Sequence, residues 1–250
     1  MASIYEKPVR LLFRDMVEDL GIGLEDVIKR EQVFSWFKKK YPKVKDGTIS
    51  AHLLKMSTNA PSRIHYNVNL NGEDDLFYQI DTRKFRLYDG KTDPDPIYAK
   101  KVESETPDDE TGKEEPPELR EFAYEKDLQN FLSKNLSLIE AGLYLYEEEG
   151  ITGVEFPVGN RFIDILALDK EKNYVVIELK VSRGYDRVVG QLLRYIGWIK
   201  QNHAESNQLV RGVIVAREIS EDLVLACATV DNVELYEYQL SVSLQKINVG

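Results

Sequence analysis

The sequence predicts an α/β protein in two parts: three amphipathic helices closed by a β-hairpin, then a core in which helices flank a mixed sheet. Apolar residues recur at helical spacing three times before residue 57, and two short strands follow. A charged, proline-bearing tract then breaks all periodicity. Beyond it the pattern runs helix, three strands, helix, strand, which is the alternation of an α/β core.

The first helix is expected over 9–20, where Leu11, Leu12, Met16, Val17 and Leu20 form a stripe. A second, over 30–41, carries Val33, Phe34 and Phe37 and stops at Pro42. Asp46 is placed to cap a third, 47–57, that buries Ile49, Leu53 and Met56. Strands at 76–80 and 84–88 are joined by the polar turn Asp81-Thr-Arg-Lys84. Three helices and a hairpin make a winged helix-turn-helix. In that fold the third helix enters a major groove and the wing touches the backbone. Thr48, Ser50, His52 and Lys55 are then the reading positions, with Lys38, Lys39, Lys40, Lys43 and Lys45 toward phosphates. Arg63 and His65 before the wing, and Arg83 in it, are further DNA-binding candidates. Such domains also serve as protein-binding modules, and lysine-rich helix ends are often only solvated.

Residues 93–118 read as an extended acidic linker, with Asp93-Pro-Asp-Pro96 and a run of Glu and Asp through Pro117. The division is therefore 1–92, a winged DNA-binding domain; 93–118, the linker; and 119–250, the second domain. Net charge is −10, but it is uneven. Residues 1–100 hold 17 Lys and Arg against 15 Asp and Glu, the short tract 101–118 holds 2 against 8, and the remainder 14 against 20. An acidic core tolerates a polyanion where a positive groove is local.

In the second part, a helix at 121–135 turns Phe122, Leu128, Phe131 and Leu132 to the core and carries Glu125. A strand near 143–147 follows. Strands 161–168 and 174–181, joined by Asp169-Lys-Glu-Lys-Asn173, suggest an antiparallel hairpin. Side chains two apart in a strand share a face, so Glu178 and Lys180 point together. With Asp164 at the matching level, two carboxylates and one ammonium meet in one pocket. A buried carboxylate without a partner is costly, and a divalent cation removes that cost. Mg2+ suits carboxylates, water and phosphate oxygens, and serves phosphodiester hydrolysis. Lys180 would orient or deprotonate the attacking water. The plainer alternative is an ion pair of Asp164 and Glu178 with a snorkelling Lys180.

A helix from about 185 to 202 shows the stripe Val188, Val189, Leu192, Leu193, Ile196 and Ile199. On its flank lie Arg187, Gln191, Arg194 and Tyr195, about one turn apart. Gln191 would reach a carboxylate or a water of the metal, while Arg187, Arg194 and Tyr195 would meet phosphate oxygens. A last strand is expected at 210–216.

The succession Asn135-Leu-Ser-Leu-Ile-Glu140-Ala-Gly-Leu143, Gly159-Asn-Arg-Phe-Ile-Asp164, Val176-Ile-Glu178-Leu-Lys180, Gly190-Gln191-Leu-Leu-Arg194-Tyr195 and Val210-Arg-Gly-Val-Ile-Val-Ala216 resembles the PD-(D/E)xK nuclease superfamily. Within it, the segment 119–216 is similar to the catalytic domain of the NucS/EndoMS endonucleases. The resemblance implies a restriction-endonuclease-like α/β fold and DNA cleavage with Mg2+ or Mn2+. It implies that Asp164, Glu178 and the Leu179 carbonyl bind the metal, that Lys180 handles the water, and that Glu125 and Gln191 complete the shell. Ile163 stands where a proline usually precedes the aspartate. The stretch from Met56 to Tyr66 resembles winged domains attached to bacterial restriction-type nucleases. NucS proteins carry a β-rich N-terminal half instead, so mismatch or branched-end specificity does not carry over.

No apolar run approaches membrane-spanning length and the start lacks an apolar signal core, so a cytoplasmic protein without membrane contact is expected. Cys227 lies in an apolar helical stretch and reads as a buried thiol, and His52, His65 and His203 show no zinc spacing. The leading expectation is a Mg2+-dependent DNA endonuclease, with a homodimer supplying two centres for two strands. The alternatives are a non-catalytic DNA-binding regulator whose second domain dimerises or docks, and an RNA-directed nuclease.

Overall fold

The computed structural model describes residues 7–98, 117–159, 161–184 and 187–239, with side chains described for all of these except 117–124 and 182–184. Most of the expected linker, 99–116, lies outside them, as does the side chain of Phe122.

The N-terminal unit begins with α1 (Val9–Asp19), which buries Val9, Leu12, Phe13 and Met16 at the three-four spacing of one helix face. A two-residue strand, β1 (Ile28–Lys29), leads into α2 (Arg30–Lys40). There the Lys29 N–H donates to Gln32 Oε1 at 2.8 Å, closing the first turn. Helix α3 (Asp46–Lys55) follows, then a 3-10 turn (Pro61–His65) and the hairpin β2 (Phe77–Asp81) and β3 (Lys84–Leu87). Strand β1 joins the hairpin in an antiparallel sheet of order β1-β3-β2, pairing Ile28 with Phe85. β1 is too short to carry a readable period. Asp46 is the first residue of α3 and not its cap, which is Lys45 without a capping side chain. Its charge still favours the first turn through the helix dipole.

The C-terminal unit runs α4 (Pro117–Lys134), a 3-10 turn (Leu136–Leu138), β4 (Tyr144–Leu145), β5 (Glu147–Glu148), β6 (Ile151–Thr152), β7 (Val154–Val158), β8 (Arg161–Leu168), β9 (Tyr174–Gly184), α5 (Arg187–Asn202), β10 (Val210–Ile219), α6 (Glu221–Cys227) and β11 (Val233–Glu237). The main sheet is mixed, of order β11-β10-β9-β8-β4, with β7 also on β8. β9, β10 and β11 are parallel, whereas β8 is antiparallel to β9, β7 and β4. Gly153 joins the β5-β6 ribbon to β7. A Cβ there would meet the Leu166 carbonyl oxygen at 1.9 Å, so only glycine allows that approach.

Helix α4, with Leu128 and Leu132, and the 3-10 turn after it, with Leu136, cover one face over Ile165, Ile177, Leu179 and Val213. Helix α5 covers the other with Val188, Leu192, Ile196 and Ile199 over Leu166, Val176 and Ile214. Phe131, expected in the core, is 53% exposed, and Leu193 is exposed at the edge of its stripe. Cys227 is half-buried at the end of α6, less enclosed than expected. No helix among the described residues is long and apolar enough to cross a membrane.

The largest departure from expectation is α3. One side, Ile49, Leu53 and the adjoining Met56, completes the N-terminal core with Phe13, Phe37, Phe77 and Phe85. Its other side, Ala51 and Leu54, enters the C-terminal core with Tyr146, Ile151 and Phe156. Gly47 lies so close to His203 that a Cβ would fall 2.5 Å from Nδ1. The two units therefore share α3 as a common internal helix. Residues 93–98 are also less linker-like than expected. Asp93 pairs with Arg86, the Ile97 N–H donates to the Thr58 carbonyl at 2.8 Å, and Tyr98 donates to Asp75 at 2.6 Å.

Candidate active site

β8 and β9 place the charged residues as the hairpin reading required. Ile165 pairs with Ile177, and one further step of that register sets Asp164 level with Glu178. The Leu179 N–H donates to Asp164 Oδ2 at 2.7 Å. Lys180 Nζ donates to Glu178 Oε1 at 2.7 Å and to the Leu179 carbonyl at 2.8 Å. From α5, the Gln191 amide donates to the same Oε1 at 2.6 Å and lies 3.2 Å from the Tyr195 hydroxyl. From α4, Glu125 comes within 3.9 Å of Lys180 Nζ. All six expected catalytic side chains thus converge.

Glu178 is 1% exposed, and its Oε2 is buried without a hydrogen-bond partner. Burial, then the charge of Glu178, pushes the Asp164 carboxyl well above the usual range against the pull of the Leu179 N–H and Lys180. Burial also raises Glu178, which Lys180 only partly offsets. Lys180 would be lowered by burial, but Glu178, Asp164 and Glu125 outweigh this and hold it raised, hence protonated. Burial raises the Tyr195 phenol as well. Three carboxyl groups thus meet one ammonium at a spot with an orphaned oxygen. That donor set fits a hard divalent cation. Among the described residues no group of three or more His, Cys, Asp and Glu side chains is arranged to hold a metal ion.

Two residues of this neighbourhood escaped the sequence reading. Gln129, 3% exposed, donates from its amide to Glu155 Oε1 at 3.1 Å and to the Asp164 carbonyl at 2.9 Å. Its place four residues after Glu125 on one helix was the available signal. Glu155 lies on β7, a strand interrupted by proline that no periodicity announces.

The DNA-binding candidates divide sharply. Arg187 and Arg194 are exposed on α5, and Arg83 is exposed at the tip of the hairpin. Thr48, Ser50, His52, Lys55 and Arg63 are buried, 4%, 1%, 0%, 4% and 0% exposed, so they do not form a reading surface. Each has an internal partner. Thr48 donates to Glu148 at 3.1 Å, and Arg30 donates to Ser50 at 2.8 Å. His52 Nε2 lies 3.3 Å from Glu149, Lys55 lies 3.4 Å from Asp74, and Arg63 pairs with Asp75. His65 is half-buried, and burial with nearby Lys126 lowers its pKa to about 4. Lys38, Lys40 and Lys45 pair with Asp46, Asp19 and Glu205.

Residues 124–241 match the family described as the Endonuclease NucS C-terminal domain. The C-terminal part of the chain is NucS-like. Residues 8–87 match a family described only as Domain of unknown function (DUF7669). The Endonuclease NucS of Pyrococcus abyssi is 31% identical over 105 residues, 42% of this chain and 38% of that protein. That of Sulfolobus acidocaldarius is 37% identical over 98 residues, 39% and 35% of the two chains. That of Micrococcus luteus is 34% identical over 122 residues, 46% and 49%. The chain therefore spans less than half the length of these relatives. Among solved structures, a repair endonuclease from Pyrococcus abyssi has a TM-score of 0.38 at 26% identity, over 52% of this chain and 50% of that one. A structure of an EndoMS complex with double-stranded DNA has a TM-score of 0.40 at 23% identity, over 48% and 46%. The NucS-like segment includes each of Glu125, Asp164, Glu178, Lys180, Gln191 and Tyr195.

Proposed function

We propose that the protein is a Mg2+- or Mn2+-dependent DNA endonuclease of the PD-(D/E)xK type, its active centre at Asp164, Glu178 and Lys180. The observation that carries this reading is the buried Glu178 carboxylate, with one oxygen lacking any partner, level with the half-buried Asp164 carboxyl. A structural ion pair with Lys180 explains Oε1 but leaves Oε2 without purpose. The NucS-like match of 124–241 supports the choice of polymer.

A bound divalent cation would supply Lewis-acid polarisation of the phosphodiester. Asp164, Glu178 and the Leu179 carbonyl would hold it. Lys180, kept protonated by three carboxylates, stabilises negative charge developing on the phosphate and orients the attacking water. Gln191 holds Glu178 in place, and Tyr195 supports Gln191. Arg187 and Arg194 lie exposed along the same helix to meet the phosphate backbone.

The N-terminal unit, taken as a winged helix, would still position the enzyme on DNA, but not by inserting α3. Contact then falls to its outer surface, where Arg83 and Lys39 are exposed. Two such centres in a homodimer would cut both strands.

The test is incubation of the purified chain with linear, circular, single-stranded and mismatched DNA, and with RNA, in Mg2+ or EDTA. DNA products that need Mg2+ and vanish in Asp164→Ala and Glu178→Ala support the proposal. DNA retention without cleavage would favour a regulator, and cleavage of RNA alone an RNA-directed enzyme.

A further inference from the structure

Glu155 stands beside Asp164. Val154 pairs with Ile165 and Phe156 with Ile163, so Glu155 occupies the level opposite Asp164 on the neighbouring strand. Its φ is 50°, in the left-handed region that side chains other than glycine rarely adopt. Three other described non-glycine residues share that sign, Glu149, Lys172 and Asn232, and each lies in a connection between elements. Among the described residues, Glu155 alone adopts it within a strand. Such a conformation persists only where the surroundings enforce it, and it gathers at functional sites.

The surroundings here are those of the catalytic centre. The buried Gln129 amide bridges Glu155 Oε1 and the backbone carbonyl of Asp164. Glu155 is near enough for its charge to oppose ionisation of Glu178. A strand that sets a third acid beside the buried Glu178 and the half-buried Asp164, with the orphaned Glu178 Oε2 among them, is costly unless a cation is received there.

We propose that Glu155 is a positioning residue of this centre, adding a negative charge beside Asp164 and Glu178 and, through Gln129, fixing the strand that carries Asp164, so that the site takes a hard divalent cation. The proposal rests on the nuclease reading above. Glu155 is not assigned as a direct ligand. It acts as the outer partners of metal ligands do, whose loss weakens metal affinity by roughly ten- to a hundredfold.

The experiment is calorimetric titration of the full chain with Ca2+, a hard ion that reports binding without turnover. Its companion is thermal unfolding in EDTA. Glu155→Gln and Glu155→Gly are each expected to bind Ca2+ roughly tenfold more weakly than the parent. The exposed Glu171→Gln should leave affinity unchanged. Metal-free Glu155→Gly should unfold at the parent temperature or above, since glycine accepts the backbone angle freely. Parent affinity in Glu155→Gln, or an equal loss in Glu171→Gln, would overturn the proposal. Asp164→Ala separates the two claims. If it loses Ca2+ binding and cleavage while Glu155→Gln loses neither, only the role of Glu155 falls. If Asp164→Ala keeps both, the nuclease reading falls.

Discussion

Replacing Asp164 with Asn removes one of two facing ionisable carboxyls while keeping the shape of the side chain. The Asn oxygen can still accept the Leu179 N–H that Asp164 accepts at 2.7 Å, and its amide N–H sits at the level of Glu178, whose Oε2 lacks a partner. The Asp164 carboxyl is held well above its ordinary value, first by burial and then by Glu178. A carboxyl raised in the folded state is protonated in both states below the unfolded value of 3.8 and costs nothing there. As pH climbs through the folded pKa, that stability is lost. Each unit separating the two values is worth about 1.4 kcal/mol. At pH 8 without metal, Asp164→Asn should therefore be more stable than the parent, by an amount that grows with the distance of the folded value above 3.8. For a chain of this size each kcal/mol moves the midpoint by about 2–4 °C. Thermal unfolding in EDTA across acid to alkaline pH checks this. The gap should be widest at pH 8 and close toward pH 4, and the variant should cut no DNA. Equal midpoints at pH 8 would refute the claim that the metal-free site carries uncompensated charge.

Lys55→Ala leaves Asp74 buried without its cation and should cost about 3–5 kcal/mol in urea unfolding. Arg83→Ala, at an exposed tip, should leave stability unchanged within about 0.5 kcal/mol. By our assignment it weakens DNA retention and flattens its salt dependence, read by a binding titration at two salt concentrations. Gly153→Ala forces a Cβ to 1.9 Å from the Leu166 carbonyl oxygen. It should break the contacts that join Tyr146, Leu166 and Gly153, lowering the unfolding midpoint by about 4 °C or more; an unchanged midpoint would contradict the close approach at that turn.

The proposed centre was legible because each piece is local. A period-two strand fixes Glu178 and Lys180 on one face, a short polar turn fixes Asp164 opposite, and a helical stripe aims Gln191 and Tyr195. The role of α3 was not. Thr48, Ser50, His52 and Lys55 are polar on a helix, and polar helix residues are usually exposed. Their partners Glu148, Glu149 and Asp74 are remote in sequence or lie in another element, so burial leaves no mark within the helix. The one local signal was Ala51 and Leu54, apolar residues beyond the Ile49, Leu53 and Met56 stripe. They widen the apolar arc past what a surface helix needs. β7 and Glu155 were hidden for a different reason. A five-residue strand with a proline and a left-handed residue has no alternation to read.

The most direct measurement of the central claim is single-turnover cleavage of one end-labelled DNA duplex by the full chain and by Glu178→Gln, over a Mg2+ titration that starts in EDTA. The account predicts no product in EDTA, a rate that rises with Mg2+ and saturates, and loss of about a hundredfold or more in rate for Glu178→Gln at saturating Mg2+. Cleavage by the parent in EDTA, or by Glu178→Gln at the parent rate, would contradict it.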